Sequence, residues 1–181
     1  MLFRSSRALQ DMRAILGVLR DDNDGRAPHP GLGEIDELTT KAREAGLDVD
    51  LEAISPPPLV VPSAVGSAVY RIVQESMTNV IRHVGPTRVT VALDFGTDSV
   101  EICVTDEGRR EGSDIAEAAL RPGADRAKGG LADPGKPGRG ILGMRERCQL
   151  LGGELDAGPL PGGGFAVTAR LPMTATGTAN L

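Results

Sequence analysis

The sequence predicts a two-layer α/β sandwich with a mixed sheet. Three observations carry that prediction. Helix-period segments arrive in pairs among hairpins rather than alternating singly with strands. The strand segments alternate apolar and polar residues, as half-buried strands do. The length of 181 residues suits one core with an attached helical element and excludes a large multidomain enzyme.

The elements follow in order along the chain. SRALQDMRAILGVLRDDND places Leu9, Met12, Leu16 and Leu19 at alternating three- and four-residue steps, with Ile15 widening the stripe. That is a seam for another helix, although about two heptads are too few for a coiled coil by themselves. DDNDGRAPHP, Asp21 to Pro30, has the composition of a linker. LGEIDELTTKAREAGL, from Leu32, reads as a helix with Ile35, Leu38 and Ala42 on one face and Gly46 capping its end. LDVDLEAI alternates as a strand, and SPPPLVVP is stiff because adjacent prolines fix φ and remove donors.

Pro62 can open the long helix that follows, roughly Ser63 to Val84. Its apolar face carries Val65, Val69, Ile72, Val73, Met77, Val80, Ile81 and Val84, and Gly85-Pro86 stops it. Strands are expected over Arg88 to Phe95 and Val100 to Thr105, joined by a turn at Gly96 to Ser99. Residues 107–140 are rich in glycine and charge and poor in bulky apolar residues, which is the composition of a functional or disordered loop. Ile141 to Leu151 resumes as a helix ended by Gly152-Gly153. Two last strands, Glu154 to Ala157 and Phe165 to Leu171, flank the turn GPLPGGG, and MTATGTANL is expected to be a disordered tail.

Composition removes several functions. A formal charge of -5 lacks the basic footprint of a nucleic-acid-binding protein. One Tyr, three Phe and no Trp leave little on which bases could stack. No apolar run approaches the roughly 18 to 20 residues needed to span a bilayer. MLFRSSRALQDMR lacks the apolar centre of a signal peptide, so a cytoplasmic location is expected. Cys103 and Cys148 have no metal-ligand spacing and read as small buried hydrophobes.

Three segments point to chemistry. In RIVQESMTNVIRHV, Glu75, Asn79 and His83 recur every four residues and form one ridge of a helix. An acid and an amide adjacent on a helix can share a hydrated magnesium ion; a solvated polar face is the simpler alternative. VEICVTDEG runs a half-buried strand into Asp106, where a carboxylate can accept from an exocyclic amine, and Gly108 follows where backbone comes close to a ligand. KPGRGILGMRERCQLLGG sets Gly138 and Gly140 before a helix, offering free N–H groups and the positive helix end to an anion. No lysine and hydroxyl residue follow, so it is not a GxxxxGK[ST] phosphate loop.

In this order the segments resemble the sensor histidine kinases, and within them the subfamily paired with helix-turn-helix response regulators. RIVQESMTNVIRHV is similar to the N box, VTDEG to the first glycine box, PGRGILGMRERCQLLGGEL to the second, and GGGFAVTARLP to the closing strand. SRALQDMRAILGVLRDD resembles the second dimerisation helix, and GLGEIDELTTKAREAGLDVDL the start of the ATP-binding domain. The resemblance implies a Bergerat ATP-binding fold over residues 32–172, preceded by a remnant dimerisation helix (1–24) and a linker (25–31) and followed by a tail (173–181). It implies ATP and Mg²⁺ as cofactors. Asn79 would bind the metal, and Glu75 would orient a metal-bound water or act as a base. Asp106 would hold the adenine amine. Gly108, Gly138 and Gly140 would admit the nucleotide, and residues 109–137 would be the lid. Arg82 and His83 stand near the expected phosphates or form a charged helix face. Thr168 either helps hold adenine or faces solvent.

Two departures qualify the resemblance. The family continues its first glycine box as Asp-x-Gly-x-Gly, whereas Arg110 stands at the second glycine here. At φ > 0 an arginine costs of order 1 kcal/mol; its side chain could block the site or contact phosphate. The phosphoacceptor histidine of the family lies on the first dimerisation helix, and neither His29 nor His83 is a credible substitute. The expected role is therefore the ATP-binding catalytic part of a kinase, acting on a histidine outside this sequence. Its expected partners are the dimerisation and phosphoacceptor helices of the same or another chain, a helix-turn-helix response regulator indirectly, and a second copy in a homodimer. The alternatives are an anti-sigma-factor-type serine kinase, against which the N-terminal stripe speaks, and a degenerate regulator supported by Arg110.

Overall fold

Alternation along five strands decides the architecture. The structure, a computed structural model, describes residues 30–54, 60–108 and 139–173. The N-terminal stripe, most of the linker, residues 109–138 and the tail beyond Met173 lie outside the described residues. A 3₁₀ turn at Leu32–Glu34 leads into α1, Ile35–Glu44, then β1, Asp48–Ala53, and α2, Ser63–His83. The hairpin of β2, Arg88–Phe95, and β3, Ser99–Asp106, comes next. After it stand α3, Arg139–Leu150, β4, Glu154–Pro159, and β5, Phe165–Pro172. Among the described residues no helix is long and apolar enough to cross a membrane.

The sheet order is β1-β2-β3-β5-β4. β1 runs parallel to β2, since α2 carries the chain back between them, and the other neighbours are antiparallel. This is the mixed sheet that the element order predicts. In the register, Val91 pairs with Val104 and Val104 with Val167; Ile102 lies between Leu93 and Ala169, and Val100 between Phe95 and Leu171. All of these are buried beneath the helices. The same parity puts Asp106 beside Val89 and Phe165, on the helix-covered face of β3.

α2 crosses β3 and β5, α3 packs on α2, β4 and β5, and α1 covers β1. The buried stripe of α2 includes Val69, Ile72, Val73 and Met77, none with exposed surface. α1 ends as its sequence foretells. Gly46, at φ +98°, lets its own N–H reach the Arg43 carbonyl and that of Leu47 reach Ala42. Gly152, at φ +74°, ends α3 in the same way through Gln149 and Cys148.

The structure corrects three details. Leu32–Glu34 is a 3₁₀ turn, not the first turn of α1. Met173 belongs to the core, not the tail: it is buried, and its N–H bonds the Asp98 carbonyl at 2.7 Å. Cys148 is buried, but Cys103 is only half-buried on the open face of the sheet, because it alternates with the inward Ile102 and Val104. Burial raises the pKa of both thiols, so neither is an activated nucleophile.

This parity predicts a sharp contrast between neighbours. Ile102→Ala, at a site 1% exposed, should cost about 2–5 kcal/mol in urea unfolding with an unchanged m-value. Cys103→Ala on the open face should cost less than about 1 kcal/mol. Equal costs would contradict the register.

Candidate functional site

A cavity of about 410 Å³ opens between the C-terminal half of α2, the ends of β3 and β5, and the start of α3. That volume lies within the range of small-molecule sites. From α2 and its C-cap come Ser76, Asn79, Val80, His83 and Val84, at three- and four-residue spacings that share one side of the helix. Val104, Phe165, Val167 and Ile141 supply apolar walls. Arg82 and Arg139 bring cationic groups to the lining, His83 adds an imidazole, and Asp106 brings the carboxylate.

The Asp106 residue is 6% exposed. Its Oδ1 accepts from the Gly108 N–H at 2.7 Å, and the Phe165 N–H also donates to the carboxylate. Burial raises its pKa above the usual carboxylate value, and those two hydrogen bonds partly offset the rise. A carboxylate has about four acceptor positions, so capacity remains for a ligand amine. Apolar walls, an acceptor within them and cations in the lining suit a molecule with an apolar body, a hydrogen-bond donor and an anionic end.

Gly108, at φ +75°, shows why only glycine serves there. A Cβ would lie 2.9 Å from the Gly164 nitrogen, and Gly164, at φ +85°, is itself so close that a Cβ would overlap the Asp106 carbonyl oxygen. The GPLPGGG turn therefore presses on the segment that follows β3. Thr87, buried beside it, donates from Oγ1 to the Gly108 carbonyl at 2.7 Å.

The three residues of the α2 ridge separate. Asn79 and His83 line the cavity. Glu75 turns to the start of α3, where a Cβ on Gly140 would fall inside its carboxylate. Gly140 thus admits Glu75 to the positive end of a helix, a favourable place for an anion, while still bordering the cavity. Gly138 lies outside the described residues.

Thr168 is not part of this site. It pairs with Cys103 and is exposed on the open face, because Val167 and Ala169 take the inward positions of β5. It lines a separate depression of about 360 Å³ on that face, with Asp94, Glu101, Asp156 and Arg170. Ser76, Arg139, Thr87 and Gly164 are site residues that the motifs do not single out. The i−3 spacing from Asn79 could have found Ser76, and the GRG sequence Arg139; Thr87 and Gly164 leave no local signal.

A family model described as "Histidine kinase-, DNA gyrase B-, and HSP90-like ATPase" matches residues 64–175. The sensor histidine kinase LnrJ of Bacillus subtilis is 29% identical over 168 residues, covering 92% of this chain and 35% of that protein. The B. subtilis sensor histidine kinase YxjM is 26% identical over 170 residues, covering 93% and 36%. The chain thus spans little more than a third of the length of these curated relatives. Among solved structures, the blue-light activated histidine kinase of Erythrobacter litoralis EL346 aligns with a TM-score of 0.55 at 18% identity, covering 92% of this chain and 46% of that one. The Acinetobacter baumannii histidine kinase AdeS gives 0.53 at 17%, covering 94% and 79%. At these identities the structural likeness is one of fold.

The raised pKa of Asp106 fixes the sign of a pH effect. The folded chain holds this proton to higher pH than the unfolded one, so the stability linked to it is full below the unfolded value of 3.8 and declines as pH rises through the folded value. Asp106→Asn removes that decline. Its urea midpoint should rise relative to wild type as pH increases from 3.8 through the folded value. A constant difference across that range would refute the raised pKa.

Proposed function

Because the chain belongs to the histidine kinase-, DNA gyrase B-, and HSP90-like ATPase family, we propose that its cavity holds ATP with Mg²⁺ for phosphoryl transfer to a histidine on a dimerisation helix. The observation that carries this reading is Asp106, a carboxylate on the helix-covered face of β3 within an otherwise apolar wall. Its carboxylate accepts from the adenine amine, while Val104, Phe165, Val167 and Ile141 receive the ring. Arg82, His83 and Arg139 face the phosphates, and Gly108, Gly138 and Gly140 allow backbone to approach the nucleotide.

Asn79 is the proposed magnesium ligand, with Glu75 orienting a metal-bound water or accepting a proton. Magnesium keeps several waters and takes phosphate oxygens, so a single amide ligand from the protein can hold it beside a nucleotide. Mg²⁺, when bound, neutralises phosphate charge. The rest is positioning, since phosphoryl transfer asks for little covalent chemistry from the protein. The P–O bond to the β-phosphate breaks, a P–N bond forms to the imidazole, and ADP leaves.

His83 borders the cavity and fits the phosphate end rather than the acceptor role. The acceptor is supplied by the dimerisation helices of the same or another chain, in a homodimer, and the phosphoryl group passes onward to a response regulator with helix-turn-helix output, in the cytoplasm.

Calorimetric titration with ATP tests the site. Wild type should bind more tightly with Mg²⁺ than without, and Asn79→Ala should abolish that difference. Asp106→Ala should weaken binding at least about tenfold, the value of one hydrogen bond to a charged group. No wild-type binding at millimolar ATP would sink the reading.

A further inference from the structure

The segment that carries Asp106 is held by a hydroxyl from another part of the chain. Thr87, one residue before β2, is 3% exposed. Its hydroxyl donates to the Gly108 carbonyl at 2.7 Å, and the Gly108 N–H donates to Asp106 Oδ1 at 2.7 Å. The two peptide groups flanking the Gly108 Cα are thus fixed from opposite sides, one by the cavity carboxylate and one by Thr87. Thr87 is itself anchored, since its carbonyl accepts from the Asp48 N–H at 3.0 Å. The next residues lock as well, with the Glu107 N–H on the Arg88 carbonyl at 3.2 Å.

We propose that Thr87 is a positioning residue for base recognition: its hydroxyl sets the Gly108 main chain and, through it, the orientation in which Asp106 meets the adenine amine. The proposal rests on the ATP reading above. A glycine at φ +75° has a wide choice of conformations, and the carbonyl of Gly108 is the handle by which one is selected. The Gly164 backbone, against the same Cα, removes the space for the others. Arg110 stands where the resemblance calls for a second glycine, yet neither clamp uses that position. The segment up to Gly108 is held by Thr87, by Gly164 and by the Glu107 N–H on the Arg88 carbonyl.

A hydroxyl that merely satisfies a buried carbonyl would affect stability and leave base selectivity untouched. The full chain is therefore titrated with Mg-ATP and with purine riboside triphosphate, which lacks only the amine, in wild type, Thr87→Val and Thr87→Ser, with thermal melts alongside. Thr87→Val should lose about tenfold in ATP affinity, retain most of its affinity for the amine-free nucleotide, and so lose the preference between them. Thr87→Ser, which keeps the donor, should restore the preference. An equal loss for both nucleotides, no loss, or a serine variant as poor as valine would overturn the proposal. Should the valine variant melt too low to titrate, Thr87→Ala is read by the same ratio. Failure of the wild type to bind either nucleotide would sink the ATP reading itself, a distinct outcome.

Discussion

The site depends on one strand parity. Val100, Ile102, Val104 and Asp106 share the face of β3 that the helices cover. A slip of one residue would turn Glu101, Cys103 and Thr105 inward and put Asp106 on the open face. Three apolar side chains thus hold one carboxylate where it would not go unaided. Burial opposes its ionisation, and the N–H groups of Gly108 and Phe165 return part of that loss. The result is an acceptor that stays short of full satisfaction inside an apolar wall, which is what selective recognition of an amine requires.

The glycines at the site serve contacts within the chain before they serve any ligand. Gly164 sits against the Asp106 carbonyl, Gly108 against Gly164, and Gly140 against the Glu75 carboxylate. Each contact brings together elements far apart in sequence, and each leaves no room for a methyl group. Close approach to a nucleotide is then available as a by-product of tight crossing. Glu75 and Asp106 also differ in how they are held. Asp106 is fixed by backbone donors at a strand end, whereas Glu75 lies against the first turn of α3, where the helix dipole favours negative charge.

What was legible in the sequence was what local periodicity encodes. The span of α2, the alternation of β2 and β3 and the glycine stops could be read because each follows from spacing within a few residues, and the mixed sheet could be read from the order of those elements. Parity also contained the answer for Cys103 and Thr168: both alternate with inward valine, isoleucine or alanine, and so both face outward. The partition of the α2 ridge was less accessible. Glu75 and Asn79 differ by only about 40° around the axis, and which of them meets α3 depends on where that helix lands. Thr87 and Gly164 were illegible, because their partner, the segment ending at Gly108, is reached only when the hairpin and the closing strand are in place.

The charge distribution reconciles an acidic chain with an anionic ligand. The open face of the sheet carries Asp50, Glu52, Asp94, Glu101, Glu154 and Asp156, while two of its arginines are taken up, Arg88 with Asp48 at 3.2 Å and Arg170 near Glu101 at 3.9 Å. Arg82, His83 and Arg139 gather instead at the cavity, on the helix side of the sheet. The open-face carboxylates lie across the sheet from the cavity, whereas Arg82 and Arg139 line it, and Coulomb attraction grows as separation falls. A polyanion spread over the surface meets the net charge of -5. A single triphosphate placed in the cavity meets the guanidinium groups of Arg82 and Arg139.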